Sequence, residues 1–517
     1  MFRKKVLIPL SLLLFLALTI SLPGVLTGCS ENPAQSQEAE TPASPEAVAE
    51  PASDGGEDIP GEAAEEEEGL RKDDLPDDLD FGGETITIHI RDGDNHNPTR
   101  NCIMEMTVEE LNGELLNDAI YNRNLAVSER LNVTLDPYAP FEWSQYGQAL
   151  SEIRASVRAG EDRFDIIAGW CNSDLASLAL ENCFLDMKDA PYVDTEKPWW
   201  NQALLGKNLV GNKLYFLTGE SNILSSLGSA FSVFVNEALE TDFGLGKLSD
   251  YVDEGTWTID KMASIAETVH VDLNGDGKMN SAHDRYGIVL IEYLSADALY
   301  ASLDLHQIEV NDEGVMTYAP DEERIHTALE KIYNLFYNNE GSVGWAPGYA
   351  RDIFVEKRTL MTIDYIEASR EEFREMEDSY YIIPTPKFDE AQEQYYAYIF
   401  NNLTVLSVPV TNQNPDAAYA TMEALSSESY FNVTPVFFND CMQNKYSRSD
   451  TTTRMLEIIR SSCYVDYEYI YGRLFGTPAF ISRDLILNKS SDTASWFAGH
   501  KKLIEKQIAK AMDSLGG

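Results

Sequence analysis

The chain is short of positive charge. Its 517 residues include 39 Lys and Arg against 86 Asp and Glu, which gives a formal net charge of −47. This excess of negative charge repels phosphate backbones and anionic lipid headgroups, so it disfavours nucleic acid as a partner. A neutral ligand remains compatible with the composition, because an uncharged molecule such as a sugar is not repelled by the outer field.

Sequence motifs of common enzyme classes are also missing. The chain contains no GxSxG, Walker loop, HExxH or GxGxxG segment, and its 7 histidines are scattered. Asp and Glu are so abundant that a pair of carboxylates in the sequence does not indicate a catalytic site. We therefore expect a protein that binds without catalysis. The main enzymatic alternative, a secreted glycosidase, requires two carboxylates about 5–10 Å apart across a sugar site.

Cysteine is scarce, and the six residues follow no CxxC or metal-type spacing. Five of them come after Cys29, namely Cys102, Cys171, Cys183, Cys441 and Cys463. An exported location permits disulfides, and Cys441 with Cys463 is the first pairing to test. Buried structural thiols are an equally good interpretation.

The N-terminus has the pattern of an export signal. Arg3, Lys4 and Lys5 precede an apolar run over 6–26, which ends in a Leu-Thr-Gly-Cys segment that resembles a bacterial lipobox. This pattern predicts a lipoprotein signal peptide over 1–28 and a diacylglyceryl and palmitate-type anchor on Cys29. A transmembrane anchor and an ordinary secretory signal are the alternatives. Lipid anchoring places the rest of the chain on the extracytoplasmic face of the cell membrane.

The segment after Cys29 has a different composition from the rest of the chain. Residues 29–82 are rich in Pro, Ala, Ser, Glu and Asp, with an acidic run over 65–68 and few bulky apolar side chains. Such a segment buries too little apolar surface to offset its ordering entropy. We expect a disordered acidic tether that holds a folded domain away from the membrane.

An α/β pattern begins near Glu84. Strands are predicted over 85–90, 132–135 and 164–168, with helices over 113–131 and 146–159 between them. Further strands are predicted over 213–217, 230–235, 380–383 and 403–408. Helices are expected to dominate from 259 to 376 and again near the C-terminus, over 456–460 and 496–515. Strands that alternate with helices indicate a mainly parallel sheet.

Several segments together resemble the family 1 extracellular solute-binding proteins of ABC importers. The similar segments are 164–169, 185–187, 211–216, 231–236, 256–258, 272–287, 354–364, 381–387 and 414–418. The resemblance implies an α/β protein of two lobes with a ligand cleft between them, and closure by hinge bending. It places lobe 1 at 83–228 and 401–445, and lobe 2 at 229–400 and 446–517. It also implies a monomer that delivers its solute to ABC permease subunits.

The resemblance and the aromatic loops together predict a carbohydrate ligand. A sugar site combines aromatic platforms with polar groups, and an α/β lobe binds ligands at the carboxyl ends of its strands. The candidate ligand-binding residues are Glu142, Trp143, Trp170, Asn172, Glu220, Trp345, Asp364, Tyr365 and Tyr395. For each aromatic, core packing is the alternative, and the Trp199–Trp200 pair fits a lobe edge as well as a ligand site. A peptide or another small solute remains an alternative ligand.

The segment from Asp272 matches most positions of a calcium-binding loop. The candidate oxygen ligands are Asp272, Asn274, Asp276, the Lys278 carbonyl, Asn280 and Asp284. His283 occupies the twelfth position, where a carboxylate is usual, so Asp284 requires a one-residue bulge. A structural Ca²⁺ site and an Asx-rich turn without metal are the two interpretations. A scaffold or adhesion lipoprotein that uses this loop for interaction is a further functional alternative.

Overall fold

The computed structural model describes residues 73–91, 102–172, 175–205, 209–210, 212–311, 314–344, 350–399, 403–443 and 450–514. The predicted signal peptide, Cys29, the tether before residue 73 and Trp345 lie outside these residues. The described chain begins at Asp73, whose carboxylate accepts two hydrogen bonds of 2.6 Å from the Arg130 guanidinium. Leu75 is buried. Residues 73–82 therefore belong to the folded part of the chain, although their composition resembles that of the predicted tether.

The strands form two larger sheets and three two-stranded ones within the described chain. They are, in chain order, β1 (Glu84–Ile90), β2 (Val133–Tyr138), β3 (Ile166–Trp170), β4 (Leu209–Val210), β5 (Lys213–Leu214), β6 (Phe231–Asn236), β7 (Tyr286–Leu290), β8 (Ile308–Val310), β9 (Met316–Tyr318), β10 (Ser342–Gly344), β11 (Thr359–Tyr365), β12 (Tyr380–Pro384), β13 (Ala397–Tyr398), β14 (Thr404–Ser407) and β15 (Cys463–Tyr464).

The first sheet has the strand order β14-β3-β1-β2. β1 pairs in parallel with β2 and β3, whereas β14 runs antiparallel to β3. Helices Leu115–Leu131 and Tyr146–Ala159 make the crossovers that parallel pairing requires. Both helices stop at a residue in the left-handed region, Asn132 with φ 50° and Gly160 with φ 70°. These stops turn the chain back into the next strand of the sheet.

The second sheet has the strand order β10-β7-β11-β6-β12. β7, β10 and β11 are parallel to one another, and β6 is antiparallel to β11 and β12. Helix Ile259–Val269 packs closely on this sheet because Gly287 and Gly341 lack side chains. A Cβ at Gly287 or Gly341 would lie 2.1 or 2.0 Å from the Ala266 carbonyl oxygen. A larger residue at either position therefore displaces the helix.

Helices surround both sheets. The α-helices are Cys102–Met106, Leu115–Leu131, Tyr146–Ala159, Leu175–Leu180, Gln202–Leu205, Glu237–Asp242, Leu248–Asp253, Ile259–Val269, Glu292–Ser302, Glu322–Tyr337, Ala350–Val355, Pro415–Glu428, Thr434–Gln443, Asp450–Ser461, Tyr467–Ile470, Gly472–Phe475, Ile481–Leu487 and Thr493–Ser514. Short 3₁₀ turns include Trp143–Gln145, Glu220–Asn222 and Pro478–Phe480, and one π-helical turn spans Ser429–Val433.

The hydrophobic core is continuous from the first sheet to the second. One cluster of buried side chains includes Ile120 and Ile153 on the helices of the first sheet, Phe216 in the crossing segment and Ile288 on β7. A second cluster joins β1 to helix Pro415–Glu428. Strand β14 returns to the first sheet after the chain has built the second one. The predicted α/β class is confirmed.

The region from 259 to 376 contains more strand than the sequence predicts. β7, β8, β9 and β10 lie inside it, and every residue of β7 is buried. A strand that is buried on both faces has no polar alternation, so its apolar run looks like part of a buried helix. The predicted strand over 213–217 is shorter than expected, since β5 ends at Leu214 and only an isolated bridge joins Leu217 to Leu406.

The cysteines and the helix lengths bear on two of the predictions. Cys463 is a free, buried thiol, so the proposed pairing with Cys441 does not form. Cys171 and Cys183 are free and buried as well, and Cys102 is buried. Within the described chain, no helix combines the length and the hydropathy that crossing a membrane requires.

Candidate functional site

Two indole rings meet at the carboxyl end of β3. Trp170 ends this buried strand, and the 3₁₀ turn Trp143–Gln145 after β2 brings the Trp143 ring to within 4.5 Å of the Trp170 ring, at an interplanar angle of 57°. Tyr146 lies edge-on to Trp170 at 5.6 Å, and its hydroxyl accepts the Trp170 backbone N–H at 3.2 Å. Trp143 stays partly exposed. The sheet therefore presents an aromatic platform at the edge where α/β lobes bind ligands.

An arginine from the far end of the chain completes this platform. The guanidinium carbon of Arg473 lies 5.1 Å from the centre of the Trp170 ring. Arg473 is exposed, and its short helix Gly472–Phe475 packs on helix Thr493–Ser514. The adjacent Tyr471 ring lies 6.1 Å from Phe216 in the crossing segment. We call Trp143, Tyr146, Trp170 and Arg473 the Trp170 cluster.

A second group of aromatic and charged side chains follows β7. Tyr293 is partly exposed in the first turn of helix Glu292–Ser302. The Arg483 guanidinium carbon lies 4.3 Å from the Tyr293 ring centre and 4.0 Å from that of Phe480. Arg483 also donates from Nε to the buried Asp297 carboxylate at 3.0 Å. Burial raises the pKa of Asp297 to about 6, although Arg483 opposes this shift. Tyr293, Phe480, Arg483 and Asp297 form the Tyr293 cluster.

Asp364 and Tyr365, at the carboxyl end of β11, support the second sheet from inside. Arg351 holds the fully buried Asp364 carboxylate with two hydrogen bonds, of 2.7 and 2.8 Å. Burial disfavours the charged guanidinium, but the carboxylates of Asp364 and Glu372 outweigh it and raise the pKa of Arg351. The Tyr365 ring packs 4.9 Å from Phe231. The structure thus commits the Asp364 carboxylate to a buried ion pair.

Asn172 lies two residues beyond Trp170 and is 2 % exposed. Among the residues that the structure describes, its side-chain Nδ2 has no hydrogen-bond partner. An unpaired buried amide costs about 1–3 kcal/mol, so its presence next to an aromatic platform needs an explanation. A ligand that accepts a hydrogen bond from this amide would remove the cost.

Glu220 lines a different cavity, of about 440 Å³, together with Trp200, Tyr430 and Arg460. Its carboxylate accepts hydrogen bonds from Arg460 at 2.7 Å and from the Thr434 hydroxyl at 2.5 Å. These contacts tie the 3₁₀ turn Glu220–Asn222 to two C-terminal helices. These contacts of Glu220 do not connect it to the Trp170 cluster.

The Trp199–Trp200 pair is buried beside this cavity. Both indole N–H groups donate to the Glu423 carboxylate, at 3.0 and 2.9 Å, and both rings are at most 2 % exposed. Burial raises the pKa of Glu423 to about 7, although the two indole donors and the Asp194 backbone N–H lower it. The pair thus packs inside the first lobe around a buried carboxyl group.

Glu142 and Tyr395 are held by local contacts. Glu142 is exposed and forms a capping box with Gln145, whose side chain accepts the Glu142 backbone N–H at 3.1 Å. The Tyr395 hydroxyl donates to the Val252 carbonyl at 3.2 Å, which anchors it to helix Leu248–Asp253. Neither contact joins these residues to another predicted ligand-binding side chain.

The predicted calcium loop closes on its own backbone. The Asp272 carboxylate accepts N–H groups of Gly275 and Gly277, both at 2.7 Å. The Asp284 carboxylate is fully buried and accepts from Leu273 at 3.0 Å and Asn280 at 2.7 Å. Asn274 and Asp276 make similar turns with residues two further on, and the Lys278 N–H is the donor to Asp276. Within the described chain, no group of three or more His, Cys, Asp or Glu side chains is placed to hold a metal ion.

The structure joins some of the predicted residues and adds others that sequence patterns do not reveal. Trp143 meets Trp170, and Asp364 adjoins Tyr365. Arg473, Tyr293, Phe480 and Arg483 are the additions, and their sequence neighbourhoods carry no ligand motif. The only available signal was the position of Tyr293 shortly after a buried strand, where an α/β lobe binds ligands.

Comparison with known proteins addresses the fold. No protein-family model and no curated protein sequence matches the chain. Among solved structures, M. tuberculosis UspC aligns with a TM-score of 0.53 and 12% identity over 82% of this chain and 100% of its own. A sugar transporter from Rhizobium etli in an open conformation aligns with a TM-score of 0.52 and 13% identity over 84% of this chain and 99% of its own.

At these identities the likeness concerns the fold alone, and it extends over nearly the whole length of both solved proteins. The chain therefore has the fold of these two solved proteins, and the predicted two-lobe α/β class is confirmed.

Proposed function

We propose that this chain is an extracytoplasmic, lipid-anchored solute-binding protein of an ABC importer and that it captures a mono- or oligosaccharide. The observation that carries the proposal is the Trp170 cluster, which places two indoles, a phenol and a guanidinium at the carboxyl end of β3. The fold supports the same interpretation, since the similar Rhizobium etli protein is described as a sugar transporter.

The chemistry of the two clusters suits a sugar. A pyranose ring has apolar C–H faces, which pack on aromatic rings, and hydroxyl groups around its edge, which need hydrogen-bonding partners. Trp143 and Tyr293 are partly exposed rings that suit the faces. Asn172 Nδ2 is an unused donor, and Arg483 donates to Asp297 from Nε and Nη2, which leaves Nη1 for a ligand. These donors suit the hydroxyl edge.

Capture and release follow from the two-lobe fold. A ligand that contacts both the Trp170 cluster and the Tyr293 cluster stabilises the conformation in which both contacts exist. The free energy available for closure equals the difference between the ligand's binding free energies in the closed and the open conformation. ABC permease subunits would recognise the closed form. We expect a monomer without catalytic turnover in this role.

The membrane anchor is a separate part of the proposal. Cys29 and the basic and apolar residues before it support lipidation. Two or three acyl chains, at about 0.8 kcal/mol per buried CH₂, attach a protein durably. The acidic residues after Cys29 would extend by mutual repulsion and give the folded domain reach toward both ligand and permease.

A ligand screen on the full chain, purified in detergent, tests the binding function. Thermal unfolding is measured with neutral sugars, acidic sugars, amino acids and short peptides, and hits are titrated by calorimetry. A sugar is expected to raise the unfolding temperature, because it binds only the folded state. Stabilisation by peptides and by no sugar would refute the carbohydrate assignment. Steady release of reducing ends from a glycan would refute the absence of turnover.

A further inference from the structure

Arg473 differs from three other arginines of the C-terminal half of the chain in its charge pairing. Arg351, Arg460 and Arg483 each pair with a carboxylate within 4.0 Å, namely Asp364, Glu220 and Asp297. Arg473 is exposed, and within the described chain its guanidinium has no carboxylate at that distance. Its contact is the ring of Trp170. In a chain with 86 acidic and 39 basic residues, an uncompensated guanidinium at the proposed ligand site is unexpected.

The Trp170 ring makes this arginine a prepared anion site. A guanidinium whose carbon lies over an indole ring at 5.1 Å is attracted by the ring face and does not use its N–H groups as donors to a carboxylate in that contact. Stacking also restricts the side chain, so less entropy is lost when an anion binds. The Trp170 indole is itself packed against the rings of Trp143 at 4.5 Å and Tyr146 at 5.6 Å, and the Tyr146 hydroxyl accepts the Trp170 backbone N–H. The position of the ring that contacts Arg473 is thus set before a ligand arrives.

The available charge selects the kind of anion. One guanidinium offers two parallel N–H donors, which match the two oxygens of a planar carboxylate. A phosphate dianion needs more positive charge than a single guanidinium supplies, and the net charge of −47 opposes its approach. The same net charge opposes the approach of a singly charged carboxylate less strongly. The aromatic rings of the cluster require the same ligand to carry an apolar ring face.

We infer that the ligand is a sugar acid of the uronate class, whose ring packs against Trp143, the partly exposed ring of the Trp170 cluster, and whose carboxylate binds Arg473. The inference rests on the proposed function and deepens it, since it specifies which sugars the same site prefers. The negative outer field slows the arrival of such a ligand, whereas the local guanidinium makes its bound state stable.

Calorimetric titration with matched sugar pairs tests the inference on the full chain in detergent. The pairs are galacturonate with galactose, glucuronate with glucose, and digalacturonate with galactobiose, which differ at C6. The acidic member is expected to bind at least tenfold more tightly. Its advantage is expected to shrink as NaCl rises from 50 to 500 mM, because a partly exposed ion pair is screened, while the neutral member is unaffected.

Two arginine variants make the test specific. Arg473→Gln is expected to remove the preference for the acid, so that each acid and its neutral partner bind this variant with affinities within threefold of each other. Arg473→Lys is expected to retain a part of the preference. Arg374→Gln, at an exposed arginine without an ion pair in the described chain, is the matched control and should leave both affinities unchanged. Thermal unfolding of each variant verifies that it is folded.

Different outcomes would refute the uronate inference and the proposed sugar-binding function. If neutral sugars bind as tightly as their acids, or if Arg473→Gln weakens both equally, the uronate inference is wrong and the sugar-binding function stands. If sugar phosphates bind more tightly than uronates, the carboxylate is the wrong anion and the inference is again refuted. If no sugar of either kind binds, the proposed function itself fails.

Discussion

The guanidinium of Arg473 lies 5.1 Å from the centre of the Trp170 ring, although the two residues belong to opposite ends of the folded chain. Trp170 ends a strand of the first sheet, whereas Arg473 belongs to the C-terminal segment that packs beside helix Thr493–Ser514. This contact joins the two parts of the fold at the place where we propose that a ligand binds. The predictions below test the platform, the supporting ion pairs and the membrane anchor.

Removal of the Trp170 ring is expected to weaken sugar binding. Trp170→Ala should lower the affinity for the best sugar at least tenfold, or about 1.4 kcal/mol, because the ligand loses its platform and Arg473 loses its support. Calorimetric titration measures the change. Trp257→Phe is the matched control, since Trp257 is fully buried and donates to the Pro384 carbonyl at 2.9 Å. It should reduce stability with little effect on affinity, and equal losses of affinity in both variants would contradict the proposed site.

The Asp364–Arg351 pair is expected to be important for stability. Asp364→Ala leaves a largely buried guanidinium without its main partner, a change that costs about 3–5 kcal/mol. Urea unfolding monitored by tryptophan fluorescence measures the decrease in the free energy of unfolding. Glu372, whose side chain is 47% exposed, also contacts Arg351 at 2.5 Å. Glu372→Gln should cost less than about 1 kcal/mol. A loss below 1 kcal/mol for Asp364→Ala would show that the buried pair contributes little.

His89 is expected to make the protein sensitive to mild acid. Burial lowers the pKa of His89 from 6.5 to about 4, although Glu152 opposes this shift. Below pH 6.5 the unfolded chain gains a proton that the folded chain does not accept, so stability falls as the pH decreases from 6.5 to 4. The contribution amounts to roughly 3 kcal/mol.

Substitution isolates the His89 contribution. His89→Phe keeps the ring among Tyr138, Phe141 and Phe164 and removes the titration. Its unfolding free energy should depend less on pH between 6.5 and 4 than that of the parent. His326→Gln, at an exposed histidine, should retain the parent slope. Equal slopes in the parent and His89→Phe would show that other groups cause the acid sensitivity.

We propose that the loop around Asp272 binds calcium weakly. Outside the cell roughly millimolar calcium occupies even weak sites. Addition of 2 mM CaCl₂ after EGTA treatment should raise the unfolding temperature by a few degrees, since the ion binds only the folded loop. Asp276→Ala should abolish the rise. If calcium has no effect on the parent, the loop is an Asx-rich turn closed by Asp272 and Asp284.

Cys29 is expected to determine membrane attachment. In bacteria that express the full chain, Cys29→Ser should block incorporation of labelled palmitate and shift the mobility of the protein, because the uncleaved signal peptide remains. Cys463→Ser, at a buried thiol, is the control and should leave labelling unchanged. Labelling of the Cys29→Ser variant would place the lipid elsewhere.

The repeated strand and helix pattern of the first lobe was predictable from its sequence. Helix Tyr146–Ala159 matches its predicted bounds, and β1 lies within one residue of them, because each element has a clear periodicity and a definite stop. β7 was harder to predict. It is buried on both faces, so its composition indicates burial and does not distinguish a strand from a helix.

The candidate site was only partly predictable for a related reason. Trp143 and Trp170 both follow strands, and parallel strands place their carboxyl ends at one edge. Glu220 also lies beside a crossing segment, but its carboxylate pairs with Arg460 from a distant helix. Whether a polar residue faces a ligand or an internal partner depends on contacts across hundreds of residues, and local patterns do not contain that information.

The sequence by itself determined the acidic composition, the α/β class and the aromatic residues at strand ends, because these depend on local periodicity and composition. It also predicts an export signal, which lies outside the described residues. Tertiary structure alone decided which side chains share a site. It placed Arg473 on Trp170, enclosed Asp364 in an ion pair and turned Trp199 and Trp200 toward Glu423. These pairings arise from the way two sheets and a returning C-terminal segment pack together, and packing is a property of the whole chain.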